Sequence, residues 1–214
     1  MEVFPLLKDI KWIFFDVGST IVDESKAYER RIEEAIKGGK VTYEQFYKVM
    51  VDFYKQNKKG DLEALKLFGF QKPAWHKEEE RLYPQTENCL RILSGKYKIG
   101  IIANQSLGTE ERLRMRGILE FIDLVIASAE EGVAKPDPKI FRIALERAGC
   151  VAENTVMVGD RLDNDIAPAK RLGMKTIRVK QGFGRLAVPL TETEIPDYSV
   201  NDLDEVCRLF ENGA

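Results

Sequence analysis

Short apolar runs recur along the chain, each too short for a helix and rich in aliphatic or aromatic residues. Such runs are typical of strands buried on both faces of a parallel sheet. They cover residues 11–17, 98–103, 123–127, 155–158 and 175–179. The segments between the later runs show helical spacing, at 85–93, 108–116, 138–148 and 165–172. Strands that alternate with helices predict an α/β fold with a doubly wound parallel sheet.

A long segment after the first predicted strand breaks this rhythm. It contains no strand-like run, and its apolar residues at spacings of three and four predict helices over 28–36, 43–54 and 62–68. At about 60 residues it is long for an ordinary crossover between strands. We therefore expect a helical domain, residues 23–83, inserted into a core domain formed by residues 1–22 and 84–214.

Composition removes several classes of function. Of the 214 residues, 44% are hydrophobic, and 33 basic against 35 acidic side chains give a net charge of −2. This balance provides no basic field for nucleic acid or for a membrane surface. No apolar run approaches the roughly 18 residues of a membrane-spanning helix. Three widely spaced cysteines cannot form a disulfide framework, so we expect free thiols and a cytoplasmic location. A single histidine excludes catalytic schemes that need two.

Polar residues stand where the predicted strands end, which is the edge where parallel sheets place their sites. These residues are Asp16, Asn104, Gln105, Lys135, Asp160 and Asp165. If the strands that carry Asp16 and Asp160 are neighbours, their carboxylates repel each other unless a cation lies between them. Mg²⁺ suits such a pair of oxygen ligands, and Lys135 can neutralise a phosphate or a carboxylate. Taken singly, Asp16 has a structural alternative as a turn cap, and Lys135 as a solvated side chain.

Four sequence motifs, in this order, resemble those of the haloacid dehalogenase superfamily of Asp-nucleophile hydrolases. They are FFDVGST at 14–20, IIAN at 101–104, GVAKPDPKIF at 132–141 and VGDRLDNDIAPAKRLGM at 158–174. The likeness runs from about residue 10 to the C-terminus. It implies a Rossmannoid core, and the predicted helical insert stands where the superfamily carries its type-one cap.

The resemblance also implies a mechanism. Asp16 would attack the substrate and form an aspartyl ester. Mg²⁺ would be held by Asp16, the backbone carbonyl of Gly18 and Asp160. Asp165 would support these ligands without binding the ion itself, or would be an alternative ligand. Lys135 would pair with Asp16 and with the transferred group.

Substrate oxygens would be bound by backbone amides. The resemblance places these at Val17, Gly18, Asn104 and Gln105, so that catalysis is mainly positioning and electrostatic stabilisation. Substrate choice would come from the helical insert, where the candidates are Tyr28, Arg31, Tyr54 and Trp75.

Two positions depart from the superfamily's pattern. Gly18 replaces a second aspartate, which in the phosphatases protonates the leaving group and then activates water. Ala103 replaces a Ser or Thr that would donate to the phosphate. General acid–base catalysis is worth about 10² to 10⁴ in rate. Without an acid at position 18, hydrolysis should depend steeply on the leaving group. A steric alternative is that the turn needs a glycine for a positive φ.

The leading hypothesis is a Mg²⁺-dependent phosphatase of a small phosphorylated metabolite, acting as a monomer or homodimer. One alternative is a catalytically impaired protein that still binds metal and phosphate. Another is a dehalogenase or phosphonatase that uses the same Asp16 ester. Dehalogenases of the superfamily work without metal and do not keep the acids of the fourth motif. A phosphonatase would need a Schiff-base lysine, for which Lys26, Lys37 and Lys40 are candidates by position.

Overall fold

The computed structural model describes residues 7–211 and has an α/β architecture. Within that range the strands are β1 (Trp12–Phe15), β2 (Val22–Asp23), β3 (Arg81–Leu82), β4 (Lys98–Ala103), β5 (Leu124–Ala127), β6 (Thr155–Gly159), β7 (Lys175–Val179) and β8 (Tyr198–Val200). Six of them form one parallel sheet in the order β5-β4-β1-β6-β7-β8. The predicted doubly wound parallel sheet is confirmed, and β1 lies between β4 and β6.

Both faces of this sheet are covered by helices. The helices are α1 (Ser25–Ile36), α2 (Tyr43–Tyr54), α3 (Gly60–Phe68), α4 (Thr86–Ser94), α5 (Thr109–Met115), α6 (Ser128–Glu131), α7 (Pro138–Ala148), α8 (Ala167–Arg171) and α9 (Leu203–Glu211). Ile13 and Phe15 of β1 belong to one apolar cluster with α4 and α9, and Phe14 belongs to another with α7 and α8. Burial on both faces explains why β1 is apolar throughout instead of alternating.

Local signals fix the ends of α7. Asp137 accepts a hydrogen bond from the Lys139 backbone amide at 2.8 Å and caps the helix, and Pro138 opens its first turn. Gly149 ends it in the left-handed conformation. This capped start holds the preceding segment, which carries Lys135, against the edge of the sheet.

Helices α1 to α3 pack around an apolar cluster of their own, which includes Ile32, Phe46, Met50 and Leu65. A capping box between Thr42 and Gln45 starts α2. The helices predicted in this region are therefore present, and we call residues 24–80 the helical unit. The division into domains at 23 and 83 stays a prediction, and its outer ends, 1–6 and 212–214, lie outside the described residues.

Two short elements differ from the prediction. The region 23–83 was expected to hold no strand, but Val22–Asp23 pairs antiparallel with Arg81–Leu82. Strands of two residues are too short to leave a periodic pattern, and this pair joins the helical unit to the sheet. The helix predicted over 165–172 begins with a π-helical turn, Leu162–Ile166.

None of the helices within residues 7–211 is both long enough and apolar enough to pass through a membrane.

The close contact of β1 with β4 predicts a stability effect at Gly100. A Cβ there would collide with the buried ring of Phe14, so Gly100→Ala should lower the free energy of unfolding by about 1–3 kcal/mol. The matched control is Gly95→Ala at the end of α4, where the nearest atom lies 3.4 Å from the new methyl group. Urea unfolding measures both, and equal stability of the two variants would contradict this packing.

Candidate active site

Three carboxylates meet at the carboxyl edge of the sheet. Asp16 follows β1 and Asp160 follows β6, and these strands are neighbours. Asp165 comes from the π-helical turn, and one oxygen from each of the three side chains lies within 4.8 Å of the others. The backbone amide of Arg161 donates to Asp165 at 3.0 Å. Gly159 is required beneath them, because a Cβ there would lie 2.5 Å from the Asp165 carboxyl.

Lys135 connects two of these carboxylates. Its Nζ donates to Asp16 Oδ1 at 2.7 Å and to Asp165 Oδ1 at 2.6 Å. The side chains of Lys135 and Asp165 are 2% and 1% exposed, whereas Asp16 is 13% exposed. Asp16 also lines a cavity that lies above the carboxylates. Asn104 holds Lys135 in place, since its amide donates to the Lys135 carbonyl at 2.9 Å and accepts from the Lys135 backbone amide at 2.7 Å.

The cluster holds more negative charge than Lys135 can balance. Burial raises the pKa of Asp160 well above its ordinary value, and the charges of Asp165 and Asp16 raise it further. Burial likewise raises the pKa of Asp165 to about 6, although Lys135 opposes that rise. Burial alone would lower the pKa of Lys135, but Asp16 and Asp165 keep it above its ordinary value.

The donor set fits a hard divalent cation. Its oxygens come from three carboxylates, and Asp160 takes part in none of the ion pairs formed among residues 7–211. Burial is the main cause of the raised Asp160 pKa, and a bound Mg²⁺ would relieve the carboxylate repulsion that adds to it. The structure therefore brings together Asp16, Lys135, Asp160 and Asp165, as the sequence motifs predict.

Three of the four residues expected to bind substrate oxygens, Gly18, Asn104 and Gln105, line the cavity. The fourth, Val17, is buried and is not among the residues that line it. Its carbonyl accepts from the Ile21 amide at 3.0 Å within the turn. The backbone amide of Gln105 donates to Ser128 Oγ at 3.1 Å. A substrate oxygen bound by that amide would have to displace this hydroxyl.

Gly18 is not explained by a positive φ. The residue in the left-handed region is its neighbour Ser19, with φ 57°. The space beside Gly18 is instead filled by Glu24, whose Oε1 and Oε2 lie 2.6 and 2.8 Å from the position of a Cβ on Gly18. Ser19 Oγ donates to Glu24 Oε2 at 2.9 Å, and burial raises the pKa of Glu24 to about 8.

The helical unit forms the outer wall of a cavity of about 510 Å³ above the carboxylates. All four insert residues suggested by the sequence, Tyr28, Arg31, Tyr54 and Trp75, line it. The guanidinium of Arg31 lies 4.4 Å from the centre of the Trp75 ring and 2.5 Å from the Asp61 carboxylate.

A loop after β7 completes the wall. Phe183 stacks on Tyr54 with ring centres 4.8 Å apart, and a Cβ on Gly184 would collide with Asp160. Arg178 holds this loop by donating to the Gly184 carbonyl at 2.7 Å. The loop therefore touches both the helical unit and the carboxylate cluster.

Sequence reasoning missed several residues of this site and offered others that lie elsewhere. Lys26, Lys37 and Lys40 are exposed, and none of them lines the central cavity. Glu24 and Phe183 were missed because neither lies in a motif. A departure such as Gly18 was the available signal for Glu24, since it invites a search for another acid nearby.

The chain is similar to known proteins over most of its length. Residues 10–173 match the family model of haloacid dehalogenase-like hydrolases. A glyceraldehyde 3-phosphate phosphatase of Methanocaldococcus jannaschii is 32% identical, over 95% of this chain and 98% of that protein. One from Pyrococcus furiosus is also 32% identical, over 97% of each chain. A HAD phosphatase from Thermococcus onnurineus shares the fold, with a TM-score of 0.64 at 24% identity, over 95% of this chain and 99% of that one.

The charge imbalance predicts an unusual stability effect. With metal chelated, Asp160→Asn should raise the free energy of unfolding by about 1–3 kcal/mol, because it removes a buried carboxylate that has no ion pair in the described part of the chain. Lys135→Met should lower it by about 3–5 kcal/mol, because it leaves Asp16 and Asp165 without their shared cation. Denaturant unfolding in EDTA measures both changes. A loss of stability in Asp160→Asn would show that the cluster is not overloaded with negative charge.

Proposed function

The chain belongs to the haloacid dehalogenase-like hydrolase family and is a hydrolase of the phosphatase type; we propose that it removes the phosphoryl group of a small metabolite by Mg²⁺-dependent attack of Asp16. The observation that carries this proposal is the contact of Lys135 Nζ with Asp16 at the cavity floor. It orients a partly exposed carboxylate toward the cavity while the ammonium neutralises charge beside it.

The roles of the neighbouring residues follow from their positions. Asp16 attacks phosphorus and forms an aspartyl phosphate, which water then hydrolyses. Lys135 stays beside Asp16 through both steps and binds an oxygen of the transferred group. Asn104 fixes Lys135 through its backbone, and the backbone amides of Val17, Gly18, Asn104 and Gln105 are the proposed donors to the remaining oxygens.

Asp16, Asp160 and the carbonyl of Gly18 are the proposed Mg²⁺ ligands, with Asp165 behind them or as an alternative ligand. When bound, Mg²⁺ supplies positive charge against the phosphoryl oxygens. The excess carboxylate charge of the cluster and the absence of an ion pair at Asp160, within the described chain, support this assignment.

We propose glyceraldehyde 3-phosphate, or a three-carbon phosphate like it, as the substrate class. The names of the two archaeal relatives support it, since both match nearly the whole chain. A cavity of about 510 Å³ has room for a molecule of that size. The cations that line it are Arg31, Lys58, Lys59, Lys72, Lys77, Lys135 and Arg161.

Residues 23–83, which contain the helical unit, are the proposed cap domain over this site. Its contact with the core includes the side-chain amide of Asn57, which donates to the Val188 carbonyl at 2.8 Å. The expectation of a monomer or homodimer stays a prediction.

A metal and phosphate binding protein without turnover is the second candidate. It is favoured by Gly18 and Ala103, which lack the side chains found in the superfamily's phosphatases. Against it stands the intact arrangement of Asp16, Lys135 and Asp165. A direct assay separates the two candidates, because binding alone releases no orthophosphate.

Asp16→Asn should abolish turnover, because an amide is far too weak a nucleophile toward phosphorus. Orthophosphate release from glyceraldehyde 3-phosphate and from other small phosphate esters, with Mg²⁺ and with EDTA, measures it. The control Asp52→Asn changes an exposed carboxylate of α2 and should keep full activity. Undiminished activity of Asp16→Asn would refute the covalent mechanism, and an inactive wild-type protein that still binds phosphate would favour the second candidate.

A further inference from the structure

The side chain that position 18 lacks has a spatial substitute. Both carboxyl oxygens of Glu24 lie 2.6–2.8 Å from the point where a Cβ on Gly18 would stand. The oxygens of an aspartate lie only one carbon beyond its Cβ, so an aspartate at position 18 would reach the volume that the Glu24 carboxyl now fills. Glu24 and Asp16 line the same cavity.

Glu24 also differs from most other acids of the cavity in its partners. Seven carboxylates line the cavity, and five of them are ion-paired. Among the described residues, only Asp160 and Glu24 of this set form no ion pair. Asp160 lies inside the proposed metal site. Within residues 7–211, Glu24 is therefore the one cavity carboxyl that neither forms an ion pair nor belongs to the proposed metal site.

A neutral donor holds the Glu24 carboxyl in place. Ser19 Oγ donates to its Oε2 at 2.9 Å. Ser19 is itself fixed, because its backbone amide donates to the Val22 carbonyl at 2.8 Å and its side chain lies 2.5 Å from where a Cβ on Gly182 would stand. This hydroxyl contact fixes the Glu24 carboxyl beside Gly18.

We propose that Glu24 is the general acid and base of this phosphatase, supplying from the start of α1 the proton transfer that Gly18 cannot. The proposal rests on the proposed function. Three observations carry it: the Glu24 carboxyl overlaps the volume of the missing side chain, it lines the cavity with Asp16, and it forms no ion pair with any residue that the structure describes.

The proton and the bonds balance over two steps. An Asp16 carboxylate oxygen attacks phosphorus, the bond from phosphorus to the ester oxygen breaks, and that oxygen leaves as an alcohol with the proton of Glu24. Water then attacks the aspartyl phosphate and gives a proton to the Glu24 carboxylate. The bond from phosphorus to the Asp16 oxygen breaks, which releases orthophosphate and restores both side chains.

This assignment changes the behaviour expected of the wild-type protein. If the leaving group receives a proton from Glu24, alkyl phosphates should react at rates comparable with aryl phosphates. The steep leaving-group dependence that follows from Gly18 alone should appear only when the Glu24 carboxyl is removed.

The test compares glycerol 3-phosphate with 4-nitrophenyl phosphate, whose leaving group needs no proton. Glu24→Gln keeps the shape of the side chain and should lower kcat on glycerol 3-phosphate by about 10² to 10⁴. Release of 4-nitrophenolate in the first turnover should fall much less, and an aspartyl phosphate should accumulate because water is no longer activated. The control Glu29→Gln, at an exposed position of α1, the helix that begins directly after Glu24, should behave as wild type.

A double variant tests whether a carboxyl in this volume is sufficient, whichever residue supplies it. In Gly18→Asp with Glu24→Ala, the carboxyl returns to the same volume from the other side, and activity on glycerol 3-phosphate should recover to within about tenfold of wild type. Equal losses in the first-turnover rates of both substrates in Glu24→Gln, or no loss, would overturn the role of Glu24 while leaving the phosphatase intact. A wild-type protein that hydrolyses neither ester would overturn the proposed function, and this role with it.

Discussion

The ion pairs of Lys135 with Asp16 and Asp165 are the interaction on which the rest of the site depends. A buried ammonium is stable only because two carboxylates contact it. Each of the three side chains comes from a different part of the sheet edge, so the pairs fix the end of β1, the π-helical turn and the segment before α7 relative to one another. Asn104 adds a fourth point of attachment through the backbone of Lys135.

Lys135 alone cannot balance three carboxylates, and the excess negative charge favours a bound metal ion. Asp160 has no ion pair among the described residues, and its environment favours either a proton or a metal ion. Glu24 stands outside this cluster, on a hydroxyl donor, where it fills the space left by Gly18. The carboxylate cluster, which suits a metal ion and a phosphoryl group, is thus separate from Glu24, the proposed general acid, which is held by the Ser19 hydroxyl.

Much of the fold and of the site could be predicted from the sequence, and the features that could not be predicted were missed for identifiable physical reasons. Buried strands such as β1 carry a continuous apolar run, and polar residues after them mark the site, so the sheet and the cluster around Asp16 were predictable. The pairing of Val22–Asp23 with Arg81–Leu82 left no periodic pattern to detect. Glu24 could not be assigned, because no spacing rule places the residue before α1 beside a glycine six positions earlier. That contact depends on how the chain turns at Ser19.

The central claim is that Asp16 is the nucleophile of a phosphatase and that Lys135 orients it. The most direct measurement is acid quenching of the Glu24→Gln variant during turnover of 4-nitrophenyl phosphate with Mg²⁺, followed by peptide mass spectrometry. We expect one phosphoryl group on the peptide that contains Asp16, and none when Lys135 is replaced by Met. A phosphoryl group on another residue, or product formation with no modified peptide at any time, would contradict it.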